Sequence, residues 1–221
     1  MNDFVQLFSD NDPSNVSTSI KLMLLLTVFS LAPAILILMT SFARIIIVLS
    51  FVRSALATQQ MPPNQVIVGL ALFLTFFIMA PTFQQVNEKA LTPLFAEEIT
   101  LEEAYDQASI PFKEFMSKHT RQKDLELFLR YNKVDRPKTL EEIPLTMMVP
   151  AFALSEIKTA FQMGFMIFIP FLVIDMIVAS ILMSMGMMML PPVMISLPFK
   201  ILLFVLVDGW YLIIKSLLQS F

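Results

Sequence analysis

Four long apolar segments limit what this chain can fold into more than any other feature of its sequence. They begin at Leu22, Asn64, Thr159 and Pro198, and each runs for 20 residues or more. An apolar helix of about 20 residues is long enough to cross the hydrocarbon core of a bilayer. Apolar residues make up 57% of the 221 residues and charged residues only 15%, against about a quarter charged in soluble domains. The composition therefore predicts an all-α, membrane-associated protein.

The charged residues are concentrated in one part of the chain. Residues 84–158 carry ten of the 15 Lys and Arg residues and 13 of the 18 Asp and Glu residues. We therefore expect a polar insert between two apolar halves. In the apolar halves, prolines are expected to kink the helices. This organisation predicts four regions: a polar N-terminal segment (1–19), an apolar helical hairpin with kinks (20–83), a helical insert (84–149) and apolar helices with a Met-rich loop (150–221).

The insert carries helical signals. The stretches that begin at Thr100 and Thr139 both place a Glu three residues after a Thr, as in a capping box. Phe115 and Phe128 belong to apolar stripes at helical spacing. These stripes predict a helix-packing core, and part of them could instead contact a neighbouring copy of the chain.

The short connection over 41–63 indicates the topology. It contains Arg44 and Arg53 and no acidic residue, so the positive-inside rule places it in the cytoplasm. Four crossings then put the insert outside the cytoplasm and both chain ends on one side. Residues 1–19 lack a basic region of the kind that opens a cleavable signal peptide, and we expect none.

A methionine-rich stretch over 181–194 holds six methionines, one of the four glycines and a Pro-Pro pair. Two prolines in succession remove two backbone donors, so the sequence predicts a helix that ends near Met189, with Gly186 loosening its last turns. Methionine is flexible and fills irregular gaps. The stretch could serve as core filler or as a deformable seal in a pore, and the residues alone leave both open.

Several ionisable residues interrupt the apolar segments, where such residues are costly and are candidates for function. Glu156 lies on an apolar helical stripe. Lys200 stands near a helix N-terminus, where the macrodipole opposes a cation, and we expect it to have a carboxylate partner in this chain or another. On one continuous helix, Lys200, Asp208 and Lys215 would share a face; the two lysines could instead extend toward the membrane surface. The roles of Asp175, Asp208, Arg44 and Arg53 stay open.

Several classes of protein are disfavoured. The chain has no cysteine and a single histidine, His119, so we expect no metal site, and we find neither a cofactor motif nor a basic patch for nucleic acid. Asp175 and Asp208 could suggest an intramembrane aspartyl protease, but their contexts VIDM and LVDGW lack a glycine just before the aspartate. We therefore do not expect this chain to be an enzyme. An ion- or proton-coupled transporter that uses Glu156, Asp175 and Asp208 is the alternative, although internal repeats are expected in that class and none is evident.

Two stretches resemble the signature stretches of the FliP family, the export-gate subunit of flagellar and type III secretion systems. They are PAFALSEIKTAFQMGF (150–165) and PFKILLFVLVDGW (198–210). The segments MGMMMLPPVMISLPFK and SFVRSALATQQMPPNQVIVGLALFLTFF are also similar to that family, and HTRQKDLELF (119–128) favours its flagellar form. The resemblance runs from about Ile20 to the end of the chain. Many members begin with a cleaved signal peptide, so this chain departs from the family at its N-terminus.

The resemblance implies a role in protein export. It implies five copies of the chain, joined by FliQ and FliR and working with other export-apparatus proteins. Together these would form a ring of helices in the cell membrane, at the flagellar basal body. Unfolded flagellar proteins would pass through it. A methionine gasket would be formed by Met187, Met188 and Met189, and Glu156 and Lys200 would make polar contacts between subunits. The resemblance and the broken apolar segments together predict that other subunits cover much of the apolar surface.

Overall fold

The computed structural model describes residues 23, 26–27, 30–58, 60–132, 137, 139–140, 142–187 and 189–221. The chain divides into two units, Met1–Ile37 and Leu38–Phe221, and the contacts described below belong to the second. All regular structure in the described residues is helical and none is strand. The prediction of an all-α fold is confirmed.

The described helices follow one another with short connections. They are α1 (Ser30–Met39), α2 (Phe42–Ala55), α3 (Asn64–Val86), α4 (Thr92–Phe95), α5 (Leu101–His119), α6 (Gln122–Tyr131), α7 (Leu145–Ser184), α8 (Pro192–Leu206) and α9 (Gly209–Gln219). A single π-helical turn, Asn87–Leu91, joins α3 to α4 without a break. The boundary predicted at residue 83 therefore falls inside a continuous helix.

Helix α7 is the element on which the other helices pack. Helices α2, α5, α6 and α8 all contact it, and α9 contacts α8. Helix α2 buries Ile45, Val48 and Val52 completely. The Phe51 ring meets Phe161 of α7 edge-on, with 5.2 Å between the ring centroids, and it lies against Gly164. The absence of a side chain at Gly164 lets the two helices approach this closely.

The insert folds onto the first half of α7. Thr100 caps α5 as predicted: its hydroxyl accepts from the Glu103 amide at 3.3 Å, and the Glu103 carboxylate accepts from the Thr100 amide at 2.8 Å. A buried apolar cluster joins α5 to α7, and it consists of Met116, Ile143, Met148 and Phe152. The apolar stripe of α5 thus packs within the chain.

The second predicted capping box is wrong. Thr139 starts no helix, and the next helix begins at Leu145, after Pro144. A residue that precedes proline is disfavoured in the helical region, so a helix capped by Thr139 would have to stop at Ile143.

The final apolar segment is two helices, not one. Helix α8 ends at Leu206, Asp208 adopts a left-handed conformation (φ 51°), and α9 leaves at 63°. A side chain at Gly209 would clash with the Phe204 ring, so the close turn depends on this glycine. The expected shared face of Lys200, Asp208 and Lys215 is therefore wrong, because the two lysines lie on different helices.

Two of the described helical stretches are long and apolar enough to cross a membrane. They are Asn64–Phe95 and Leu145–Ser184, of 32 and 40 residues. The count rises to four if α1 with α2, and α8 with α9, are each taken as one broken span. These helices agree with a location in a membrane.

We predict that Gly164→Ala loosens the contact between α2 and α7. An added Cβ would lie 2.4 Å from the Phe51 ring, and forcing extra atoms into packed regions costs about 1–3 kcal/mol. Gly69→Ala is the matched control, because a Cβ there meets nothing within 4 Å and alanine favours a helix by about 0.5–1 kcal/mol. Thermal unfolding of the purified chain in detergent should show a lower midpoint only for Gly164→Ala. Equal midpoints for both variants would contradict the tight contact.

Candidate functional site

The methionine-rich loop between α7 and α8 has a defined start. Gly186 adopts φ 75°, its amide donates to the Met183 carbonyl at 3.0 Å, and the Met187 amide donates to the Leu182 carbonyl at 3.0 Å. These two bonds form a Schellman motif, which ends a helix through a left-handed glycine. The helix therefore ends at Ser184 and not near Met189 as predicted, because Gly186 stops it before the prolines are reached.

The loop presents its thioethers away from the rest of the chain. The exposed fractions of Met185, Met187 and Met189 are 62%, 44% and 98%. Met188 lies outside the described residues. None of the three described side chains is used as core filler within this chain.

A polar cluster joins the two helices that flank the loop. The Lys200 ammonium donates to one oxygen of Asp175 at 2.6 Å, and the Ser196 hydroxyl donates to the other at 2.5 Å. Lys200 is only 2% exposed. The expected carboxylate partner is thus found in this chain, on α7. Ser196 was missed, although it lies one helical turn before Lys200.

A second ion pair lies deeper, between α2 and α7. The Arg44 guanidinium donates to both oxygens of Glu156, from Nε at 2.9 Å and from Nη2. Its remaining nitrogen, Nη1, donates to the carbonyl and the hydroxyl of Ser220 at 2.7 and 3.0 Å. Glu156 is fully buried and Arg44 nearly so. A bidentate pair of this kind is the arrangement in which buried charges are best satisfied.

Aromatic rings close around this pair. The Phe221 ring lies 3.9 Å from the Arg44 guanidinium carbon, a cation–π distance. Phe115 stacks on Phe221 and meets Phe152 edge-on, and His119 donates from Nδ1 to the Phe115 carbonyl at 2.8 Å. The charges are thereby shielded from water by α5 and by the residues that follow α9.

A third polar cluster holds α6 on α7. Asp124 is buried and accepts from the Lys158 ammonium and, at 2.9 Å, from the Ser155 hydroxyl. Ser155 in turn accepts from the Arg121 amide at 3.0 Å. Burial raises the pKa of Asp124, but the hydrogen bonds from Lys158 and Ser155 and the nearby positive charges outweigh it, and the pKa is lowered.

The other residues singled out from the sequence have simpler surroundings. Asp208 is exposed and forms the turn between α8 and α9. Arg53 is half-buried in the last turn of α2, and Phe128 is half-buried on α6. Phe115 packs inside the chain as described above.

Glu156 and Lys200 have separate partners in this chain, so the contact between subunits stays a prediction. Sequence reasoning missed Arg44 as the partner of Glu156. The available signal was that basic and acidic residues occur in different apolar segments, where unpaired charges are costly.

No group of His, Asp or Glu side chains among the described residues could hold a metal ion. The Asp175 cluster fixes a hairpin that carries exposed, flexible thioethers, and the Arg44–Glu156 pair ties the first half of α7 to α2. The FliP family model matches residues 25–217.

The chain belongs to the FliP family. It is 75% identical over 221 residues to the flagellar biosynthetic protein FliP of Bacillus subtilis (strain 168), with both chains covered completely. It is 53% identical over 209 residues to the protein of the same name from Aquifex aeolicus (strain VF5), covering 94% of this chain and 87% of that one. The FliP of Caulobacter vibrioides (strain ATCC 19089 / CIP 103742 / CB 15) is 54% identical over 202 residues, covering 91% of this chain and 76% of that one. The family resemblance in the sequence is confirmed.

We predict that Glu156→Ala strongly destabilises this FliP-family chain. Removing one partner of a buried pair leaves an uncompensated charge and costs about 3–5 kcal/mol. The double variant Arg44→Met with Glu156→Met should lose less, since no charge is then left buried. Denaturant titration in detergent measures both, and Arg130→Ala, which breaks an exposed pair, is the control with an expected change within about 1 kcal/mol. The single variants Arg44→Met and Glu156→Met complete the comparison, and a double variant whose loss equals the sum of their two losses would contradict the pairing.

A pH dependence follows from Asp124. Because its folded-state pKa is lowered, its stabilising contribution is present above its usual value of about 3.9 and is lost as the pH falls through the folded value. Asp124→Asn should therefore loosen α6 at neutral pH, and its difference from wild type should shrink below about pH 4. Hydrogen exchange of the α6 amides measures this, and a difference independent of pH would contradict it.

Proposed function

We propose that this chain is a pore-forming subunit of the flagellar type III protein export gate, which conducts unfolded flagellar proteins and is sealed by its methionine loop. The observation that carries the proposal is the exposed set Met185, Met187 and Met189 on a loop whose ends are fixed. Membership of the FliP family supports a flagellar role. Flexible thioethers repeated around a ring can close on one another and still deform around a passing chain.

The surroundings of the acidic residues favour a pore over the alternative of an ion- or proton-coupled transporter. Glu156 and Asp175 are paired with Arg44 and Lys200, so neither is a free carboxylate that could bind a transported ion. Asp208 is exposed at a turn. These charges position helices, and we propose no enzymatic reaction for the chain.

In the proposed assembly, five copies of the chain join FliQ, FliR and other export-apparatus proteins in the cell membrane, at the flagellar basal body. Residues 84–149 face outside the cytoplasm. Polar contacts from Glu156 and Lys200 join neighbouring subunits after assembly exposes these two side chains, which are buried in the single chain. Phe128, which is half-buried, contributes to a subunit contact, and the part of the Phe115 ring that its own chain leaves uncovered does the same.

Replacing the gate methionines tests the proposal. The triple variant Met187→Ala, Met188→Ala and Met189→Ala should assemble normally and leak ions, because alanine side chains are too short to close the constriction. The measurement is ion leakage in cells that carry the complete export apparatus. The double variant Met166→Ala and Met176→Ala removes exposed thioethers from α7 and should stay tight. A triple variant that assembles and is as tight as wild type would place the seal elsewhere.

A further inference from the structure

The chain has an apolar groove beside α8 whose lining residues take no part in the proposed function. It has a volume of about 500 Å³ and is bounded by the end of α2, the start of α3 and the junction of α8 and α9. Its walls include Leu49, Leu56, Ile67, Leu70, Val205 and Trp210. Thr58 is the polar residue among those that line it.

The size of the groove limits what it can hold. Ligand sites in proteins occupy about 300–1,000 Å³, so this volume suits one flexible hydrocarbon chain. An α-helix with its side chains is about 10–12 Å wide, and two turns of it fill more than about 800 Å³. The groove is therefore better matched to an acyl chain than to a helix of a partner protein.

Arg53 is not one of the residues that line the groove, but it lies on the face of α2 that borders it. Arg53 follows Leu49 by four residues and precedes Leu56 by three, so all three side chains lie on one face of α2. None of the ion pairs formed between the described residues includes Arg53. The connection over 41–63 contains no acidic residue. Arg44 differs from Arg53 in this respect. It lies on the opposite face of α2 and forms an ion pair with Glu156.

An arginine that has no carboxylate partner among the described residues and lies beside an apolar groove is complementary to one class of ligand. Guanidinium binds phosphate in bidentate fashion, and the hydrocarbon part of the same molecule can fill the groove. We propose that the groove binds one acyl chain of an anionic phospholipid and that Arg53 contacts the phosphate of that lipid. The site would tie the α2–α3 connection and the α8–α9 junction to the membrane.

The single tryptophan of the chain gives a direct test, because Trp210 lines the groove. The full chain is reconstituted in phosphatidylcholine nanodiscs in two series. One series contains increasing fractions of phosphatidylglycerol with brominated acyl chains, and the other contains increasing fractions of phosphatidylcholine with brominated acyl chains. Bromine quenches indole fluorescence on contact. We expect half-maximal quenching at an about fivefold lower fraction of the anionic lipid, the preference that one arginine near an anionic headgroup supplies.

Four variants locate the effect. Arg53→Gln should quench equally with both lipids, whereas Arg53→Lys should keep most of the preference and shows that the charge matters rather than the fold. Lys215→Gln removes an exposed charge of α9 and should behave as wild type. Val205→Phe, at an exposed position of the wall, should fill the groove and weaken quenching by both lipids.

Two results would overturn the proposal. One is equal quenching of the wild type by both lipids. The other is an anionic preference that survives in Arg53→Gln, since the phosphate would then be bound elsewhere.

Discussion

The fold depends on a buried ion pair between Arg44 and Glu156. Two charges removed from water are costly, and their attraction offsets that cost only when geometry is good and every remaining donor is used. Here the carboxylate receives two nitrogens of the guanidinium, and the third nitrogen donates to Ser220. The Phe221 ring covers the open face of the guanidinium. The Arg44 side chain therefore joins three parts of the fold, which are helix α2, helix α7 and the residues that follow α9.

The same device recurs along α7 and explains how so apolar a chain sets its register. Apolar contacts are not directional, so a long apolar helix can slide against its neighbours at small cost. Glu156 fixes α2, Ser155 and Lys158 fix α6, and Asp175 fixes α8. Each cluster is satisfied within the chain by hydrogen bonds. We infer that these clusters, spaced along one helix, select the arrangement that apolar packing alone would leave open.

Much of the fold was predictable from composition and periodicity. The all-α class and the capping box at Thr100 rest on local rules, which hold when the chain nearby is free to follow them. Thr139 fits the same capping pattern and failed because Pro144 stops the helix that it would begin. The bend at Asp208 was missed, since a non-glycine residue with positive φ has no local signal beyond the following Gly209.

The candidate site was predictable in part. The methionine loop stands out in the sequence, and a carboxylate partner for Lys200 follows from the cost of an isolated charge. Which carboxylate it is could not be deduced, because Asp175 is 25 residues away and Glu156 was an equal candidate. Their assignment depends on how α8 turns back on α7, and that turn is set by Gly186 together with the two prolines after it.

The length of α7 bears on how the chain is surrounded in the proposed gate. Forty residues at 1.5 Å per residue extend about 60 Å, whereas the hydrocarbon core of a bilayer is about 30 Å thick. Tilting by 40° lengthens the embedded part to only about 40 Å. The large exposed apolar side chains of the helix, which include Phe161 and Ile181, lie between Ile157 and Met183. Only 11% of its most apolar stretch is buried within the chain. The distance along the helix from Ile157 to Met183 is about 40 Å, the length that a bilayer covers when a helix tilts by 40°. Lipid can therefore cover this surface in the isolated chain, and in the proposed ring identical subunits and partners take its place.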